Sequence, residues 1–268
     1  MLKLRILSAL VAAPLVLGAI FFLDLGPLAV IFGGLAGLAL VEWARLAGIE
    51  GVVPTAGYLV VFAAAACFLW FVPQSWPAVL SLACAAWLVA AVTVVRFPGS
   101  GRWLPKPVLV FAGWLLLIPA WLGLVAIMRD GAGPWLLLWL FVLVWGADIG
   151  AYFAGRAFGR RKLAPAVSPG KTWEGVAGGV LLALAAGAVC IAWIPALTDL
   201  GWQPSTWLTL MVAIVTVSIF GDLFESVLKR LKGVKDSGRL FPGHGGMLDR
   251  IDSLIAALPF LAIVVASS

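Results

Sequence analysis

Along most of this chain apolar residues come in blocks of roughly twenty, the length a helix needs to cross the hydrocarbon of a bilayer. Measured against that length, nine candidate spans follow, at residues 6–23, 28–46, 53–72, 77–95, 108–128, 134–153, 176–197, 207–227 and 251–266. Pro14, Pro119 and several glycines fall inside these blocks. Membrane helices tolerate them because neighbouring helices repair the freed backbone groups. The pattern predicts an all-α, polytopic integral membrane protein with about nine transmembrane helices. Lys3 and Arg5 ahead of the first block look like the charged start of a signal peptide. The apolar run is long for that purpose and continues almost directly into the second block, so it is read as a helix that is kept.

Composition agrees. Hydrophobic residues make up 63% of the 268 and charged residues 11%, with a mean hydropathy of +1.12, whereas a soluble domain carries about 25% charged residues. One water-soluble domain of this length cannot hide so much apolar surface. The net charge of +6 raises nucleic acid as a partner, but in a membrane chain the same excess follows from topology and anionic lipid, and no nucleic acid is expected.

The basic residues also set an orientation. With nine spans and a cytosolic N-terminus, the inner segments hold Lys3, Arg5, Arg45, Arg96, Arg102, Lys106, Arg156, Arg160, Arg161, Lys162 and Lys171. They also hold Lys229, Arg230, Lys232, Lys235, Arg239 and Arg250, which leaves only Arg129 of the 18 outside. Dropping one early span scatters these residues over both faces, so the count supports helix number as well as direction. Trp43, Trp70, Trp76, Trp103 and Trp202 fall near span ends, where indole rings anchor at headgroup level. Cys67, Cys84 and Cys190 lie in apolar runs without CxxC spacing and are read as small packing residues.

Polar chemistry is unevenly spread. Residues 1–130, about five helices, hold few polar groups and read as scaffold; residues 131–268, about four helices plus cytosolic loops, carry the rest. Asp148 sits inside an apolar span, in Trp145-Gly-Ala-Asp148-Ile-Gly-Ala-Tyr152. A carboxylate there costs a few kcal/mol on insertion scales and usually pairs or serves a function; an interhelical ion pair with a loop arginine is the plain alternative. Asp222, Ser226 and Lys229 follow at i, i+4 and i+7 with Glu225 beside them, so one helix face runs from an acid to a cation. An ordinary acid–base pair at a solvated helix end explains the same spacing.

Asp249 and Asp252 open the last span, where acids are favoured by the helix dipole whatever else they do. Together with Asp222 they offer hard oxygen ligands, and Mg²⁺ takes one or two protein carboxylates along with water and phosphate oxygens. His244 lies in Pro242-Gly-His244-Gly-Gly, a loop that either makes a turn or exposes N–H groups as an anion-binding nest. Lys229, Arg230, Lys232, Lys235 and Arg239 flank it, and attraction to anionic headgroups accounts for their charge but not for the acids and glycines among them. Gly170-Lys171-Thr172 ends like a phosphate-binding loop, yet Pro165 occupies the place of its first glycine, so that motif is rejected.

At these residues the chain resembles the bacterial phosphatidate cytidylyltransferases, also called CDP-diacylglycerol synthases. The family's C-terminal signature is matched by Ser226, Lys229-Arg230, Lys235-Asp236, His244-Gly245-Gly246 and Asp249-Arg250-Ile-Asp252, with spacing intact. Upstream, Trp145-x-Ala147-Asp148-x-Gly150-Ala151-Tyr152 and Ser168-Pro169-x-Lys171-Thr172-x-Glu174-Gly175 are similar to it as well. The likeness covers roughly residues 140–255. It implies that CTP and phosphatidic acid give CDP-diacylglycerol and pyrophosphate, with Mg²⁺, a second monovalent cation such as K⁺, and a homodimer in the bacterial cytoplasmic (inner) membrane.

The expected assignments are then these. Asp222 and Asp249 hold the metal, and with Lys229, Arg230 and Lys235 form the catalytic set. Ser168, Lys171, Ser226, Arg239, His244, Gly245, Gly246 and Arg250 contact substrate, and Asp148, Glu174, Glu225, Asp236 and Asp252 support them. A transporter with Asp148 and Asp222 on an ion path, a membrane scaffold indifferent to its acids, and an enzyme acting on another lipid phosphate are the competing readings.

Overall fold

The computed structural model describes residues 2–238, 240 and 245–266, with side chains from residue 11 onward. Its helices are α1 (Leu2–Phe22), α2 (Leu25–Leu46), α3 (Val52–Phe71), α4 (Trp76–Val95), α5 (Lys106–Met128), α6 (Gly133–Phe158), α7 (Trp173–Trp193), the single turn α8 (Pro195–Thr198), α9 (Pro204–Lys232) and α10 (Leu248–Val265). Each predicted span coincides with one of the long helices. Among the described residues, seven helices, α2 to α7 and α9, are long and apolar enough to cross a membrane. α10 also runs 18 residues, but Asp249, Arg250 and Asp252 occupy its opening turns.

Several helices run past their apolar blocks, although α7 stops at Trp193, four residues short of its own and just ahead of Pro195. α6 runs five residues past its block, α9 five residues past its own, and α10 begins three residues early. The reason is physical: an apolar run ends where the hydrocarbon ends, whereas backbone hydrogen bonding continues into polar residues until something stops it. In α9 the stop is Gly233, whose left-handed φ of 71° turns its N–H back onto Arg230 and Lys229 carbonyls.

The all-helical expectation needs one amendment. Between α6 and α7 lies an antiparallel hairpin, β1 (Lys162–Ala164) and β2 (Ser168–Thr172), with Lys162 opposite Thr172 and Ala164 opposite Ser168. Pro165, Pro169 and Gly170 keep helix from forming there. Thr172 then caps α7, its hydroxyl accepting from Gly175 N–H at 3.1 Å.

α5, α6 and α9 fill the interior, while α3 and α7 lie at the periphery: 61% of the α5 apolar window is buried against 17% for α3. Lipid tails are as apolar as side chains, so helices associate here through close packing and interhelical hydrogen bonds. α6 and α7 meet through glycines. A Cβ at Gly179 would lie 2.6 Å from the Ala147 carbonyl oxygen, and one at Gly150 would lie 2.9 Å from Gly179 Cα. Indole N–H groups supply cross-helix bonds: Trp43 to Leu109 O at 2.8 Å, Trp121 to Ala29 O at 2.9 Å and Trp139 to Gly187 O at 3.2 Å. Trp43 and Trp76 are buried, not headgroup anchors as their positions near span ends suggested; interhelical carbonyls within reach of the indole N–H favour the interior.

This packing yields a pair of contrasting variants. Gly179→Val forces α6 and α7 apart and is expected to cost about 1–3 kcal/mol, read as a lower unfolding midpoint in detergent. Gly57→Ala, which meets nothing within 4 Å, leaves the midpoint unchanged or slightly raised.

Candidate active site

The helical face read from the sequence is present. On α9, Lys229 Nζ stands 2.5 Å from Glu225 Oε2 and 2.7 Å from Asp249 Oδ1 of α10. Both carboxylates are nearly enclosed, 3% and 9% exposed, so one ammonium serves two acids in poorly solvated surroundings. The other oxygen of Asp249 accepts from Ser237 N–H at 3.0 Å and from Gly246 N–H at 2.7 Å, and lies 2.8 Å from Ser237 Oγ. Asp249 therefore ties down the residues that precede α10 and pairs across to α9. Gly245 is required beside it, with φ at +80° and no room for a Cβ against the Asp249 carboxylate.

Two turns earlier on α9, Asp222 Oδ2 lies 2.6 Å from Lys171 Nζ on β2. Asp148 of α6 is exposed on its helix and faces the charges of Asp222, Lys171 and Arg250. Asp252 of α10 faces those of Asp222, Lys171 and Asp148, and it also acts on Glu225. The α9–α10 seam is tight there: a Cβ on Gly221 would lie 2.6 Å from the Asp252 carbonyl oxygen. Five carboxylates from three helices, Asp148, Asp222, Glu225, Asp249 and Asp252, are thus gathered along this seam with Lys171, Lys229 and Arg250. Among the described residues Glu225 Oε1 is buried without a hydrogen-bond partner.

The hairpin is tied down on both sides. Glu174 Oε2 accepts from Arg160 and Arg161 N–H at 3.0 and 3.1 Å, and Arg230 Nε donates to Val167 O at 3.0 Å. These contacts hold β2, and with it Ser168 and Lys171, against α9. Ser226 is half-buried on α9, and Lys235 and Asp236 are exposed just beyond it. Arg239 and His244 lie outside the described residues.

Sequence reasoning passed over Ser237 and, far from it in the chain, Glu42. Glu42 of α2, in the region read as scaffold, is 5% exposed and points into the connection between α9 and α10. Its Oε1 accepts from Met247 N–H at 2.9 Å, and its Oε2 accepts from Leu248 N–H at 2.8 Å and from Ser237 Oγ at 2.9 Å. Cβ atoms on Gly238 or Gly246 would collide with this carboxylate. The signal was available: an acid inside an apolar block, the same feature that singled out Asp148.

A family model described as the cytidylyltransferase family matches residues 3–268. The chain belongs to that family. A curated phosphatidate cytidylyltransferase of Pseudomonas aeruginosa is 45% identical over 268 residues, 99% of this chain and 97% of the relative. One from Haemophilus influenzae is 40% identical over 284 residues, covering 98% of each. One from Bacillus subtilis is 41% identical over 140 residues, about half of each chain.

For this family member, the donor chemistry suits a hard cation in one respect and limits it in another. Clustered carboxylate oxygens, one of them buried without a hydrogen-bond partner among the described residues, are the ligand type that Mg²⁺ or K⁺ takes. Among the described residues, however, no group of three or more His, Cys, Asp or Glu stands together as a ready-made cage. Asp222 engages Lys171 while Asp249 engages Lys229, Ser237 and Gly246. A cation held here must draw on substrate phosphate and water, which is the usual habit of Mg²⁺.

The shared ammonium makes Lys229 a stability determinant. Lys229→Met leaves Glu225 and Asp249 uncompensated and is expected to cost about 3–5 kcal/mol, measured by denaturant unfolding in detergent. Adding Glu225→Gln to that variant recovers part of the loss.

Proposed function

We propose that this chain is a CTP:phosphatidate cytidylyltransferase, forming CDP-diacylglycerol and pyrophosphate for phospholipid synthesis. The names of its near-full-length relatives support the reading. The observation that carries it is the placing of the Lys171–Asp222 and Lys229–Asp249 pairs two turns apart along α9. An oxygen of the lipid phosphate attacks the α-phosphorus of CTP. A P–O bond forms there, the bond to the bridging oxygen of the β-phosphate breaks, and pyrophosphate leaves with that electron pair. Two polyanions must approach each other, so catalysis is chiefly positioning and charge neutralisation.

Lys229, Arg230 and Lys235 neutralise triphosphate and lipid phosphate, with Arg230 able to grip two oxygens at once. Ser168, Lys171, Ser226, Arg239, His244, Gly245, Gly246 and Arg250 contact the phosphates or the cytidine. Lys171 and Lys229 begin on carboxylates, so an incoming phosphate competes with Asp222, Glu225 and Asp249 for them. No general base is required, because phosphatidate is already ionised near neutral pH. Mg²⁺ at Asp222 and Asp249 supplies, when bound, a counter-charge for the CTP phosphates and the departing pyrophosphate. Glu225 Oε1, buried without a hydrogen-bond partner among the described residues, would offer an oxygen to a monovalent cation such as K⁺. Asp148, Glu174, Asp236 and Asp252 keep the basic residues in place.

The chain works as a homodimer in the bacterial inner membrane, N-terminus and site facing the cytosol where CTP is found, with the acyl chains reaching the site sideways from the bilayer.

Purified protein is expected to release pyrophosphate from CTP only when phosphatidate and Mg²⁺ are both present. Asp222→Asn and Asp249→Asn each abolish release; turnover retained in both removes the metal assignment, and wild-type inactivity across varied lipids removes the reaction. For the orientation, Lys235→Cys in a cysteine-free background should resist a membrane-impermeant maleimide in spheroplasts and react after lysis. Labelling of intact spheroplasts reverses the topology.

A further inference from the structure

The connection between α9 and α10 is held by two acids, and only one of them belongs to the reaction proposed above. Asp249 takes Ser237 N–H at the start of the connection and Gly246 N–H at its end. Glu42, arriving from α2 nearly two hundred residues earlier in the chain, takes the same two ends: Ser237 Oγ, and the N–H groups of Met247 and Leu248. The two carboxylates meet at one atom. Ser237 Oγ lies 2.9 Å from Glu42 Oε2 and 2.8 Å from Asp249 Oδ2, and a hydroxyl has a single proton to give. A bond made to one acid is withdrawn from the other.

Glu42 is also well matched to the opening of α10. The first N–H groups of a helix have no partner within it, and an anion there is favoured by the helix dipole. Met247 and Leu248 are those first groups, and α10 has no side-chain cap at Met247. Gly238 and Gly246 leave space for the carboxylate that no side chain could leave.

We propose that Glu42 is a positioning residue: it keeps both ends of the α9–α10 connection fixed while Asp249 exchanges its partners for substrate-bound cation. The proposal rests on the cytidylyltransferase reading. When Asp249 turns away from Ser237, the hydroxyl donates its hydrogen bond to Glu42 alone, and Met247 and Leu248 remain bound. Without Glu42, Asp249 must hold the connection and the cation at once.

Glu42→Gln is the informative variant, because it keeps the volume but sets an NH₂ group against either the Met247 N–H or the Leu248–Ser237 donors. Turnover should fall about 10- to 100-fold, with the Mg²⁺ and CTP concentrations needed for half-maximal rate rising and that for phosphatidate unchanged. Glu42→Asp, charged but one methylene short, should fall between the Gln variant and the wild type. Independently of turnover, hydrogen exchange at the Gly246, Met247 and Leu248 amides should quicken in Glu42→Gln. That readout survives if the wild type proves inactive on CTP, in which case the reaction is wrong and the exchange still reports what Glu42 holds. Unchanged exchange overturns the proposal. So does faster exchange with wild-type turnover, or a loss shared equally by CTP and phosphatidate. If Glu42→Gln is recovered only unfolded, Ser237→Ala, which removes the shared hydroxyl and little volume, decides by the same readouts.

Discussion

A carboxylate placed among apolar helices must find either a cation or a set of hydrogen-bond donors, and the arrangement of this chain follows from meeting that demand at one end of the bundle. The solutions differ from acid to acid. Glu225 and Asp249 share an ammonium, Asp222 takes Lys171 from a hairpin, and Glu42 is satisfied by two backbone N–H groups and a hydroxyl. Each solution draws a different element to the α9–α10 seam: β2, the inter-helix connection and α2. The charged end is therefore the place where the polar bonds lock helices that elsewhere touch through glycine and indole.

Much of this was legible beforehand because the rules involved are local. A block of apolar residues fixes a helix, and i, i+4, i+7 spacing fixes a face, so the helices and the α9 stripe through Lys229 needed no tertiary knowledge. The hairpin and the Trp43 bond to Leu109 O did not follow, since both depend on what the rest of the chain brings alongside. Glu42 is the instructive omission. Its spacing to Ser237 exceeds anything a sequence window covers, and it lay in a region whose low polarity had marked it as support. One acid in an apolar block was the whole signal.

The division into scaffold and chemistry is correspondingly softened. α4 packs against α9, and α5 packs against α10, so the early helices set the spacing of the later ones. A carboxylate on α2 then reaches the loop that bears Asp249. The early helices contribute shape and, through Glu42, three hydrogen bonds to the α9–α10 connection.

α9 has 29 residues without a break, about 43 Å at the α-helical rise, against a hydrocarbon layer of about 30 Å. A rod of that stiffness cannot shorten when its surroundings do. In a thinner or thicker bilayer it must tilt or ride up, carrying Asp222 and Lys229 to a different depth relative to the lipid phosphates. Lipid composition thereby becomes a mechanical variable, acting on how far a headgroup must travel to meet the charges waiting at the helix end.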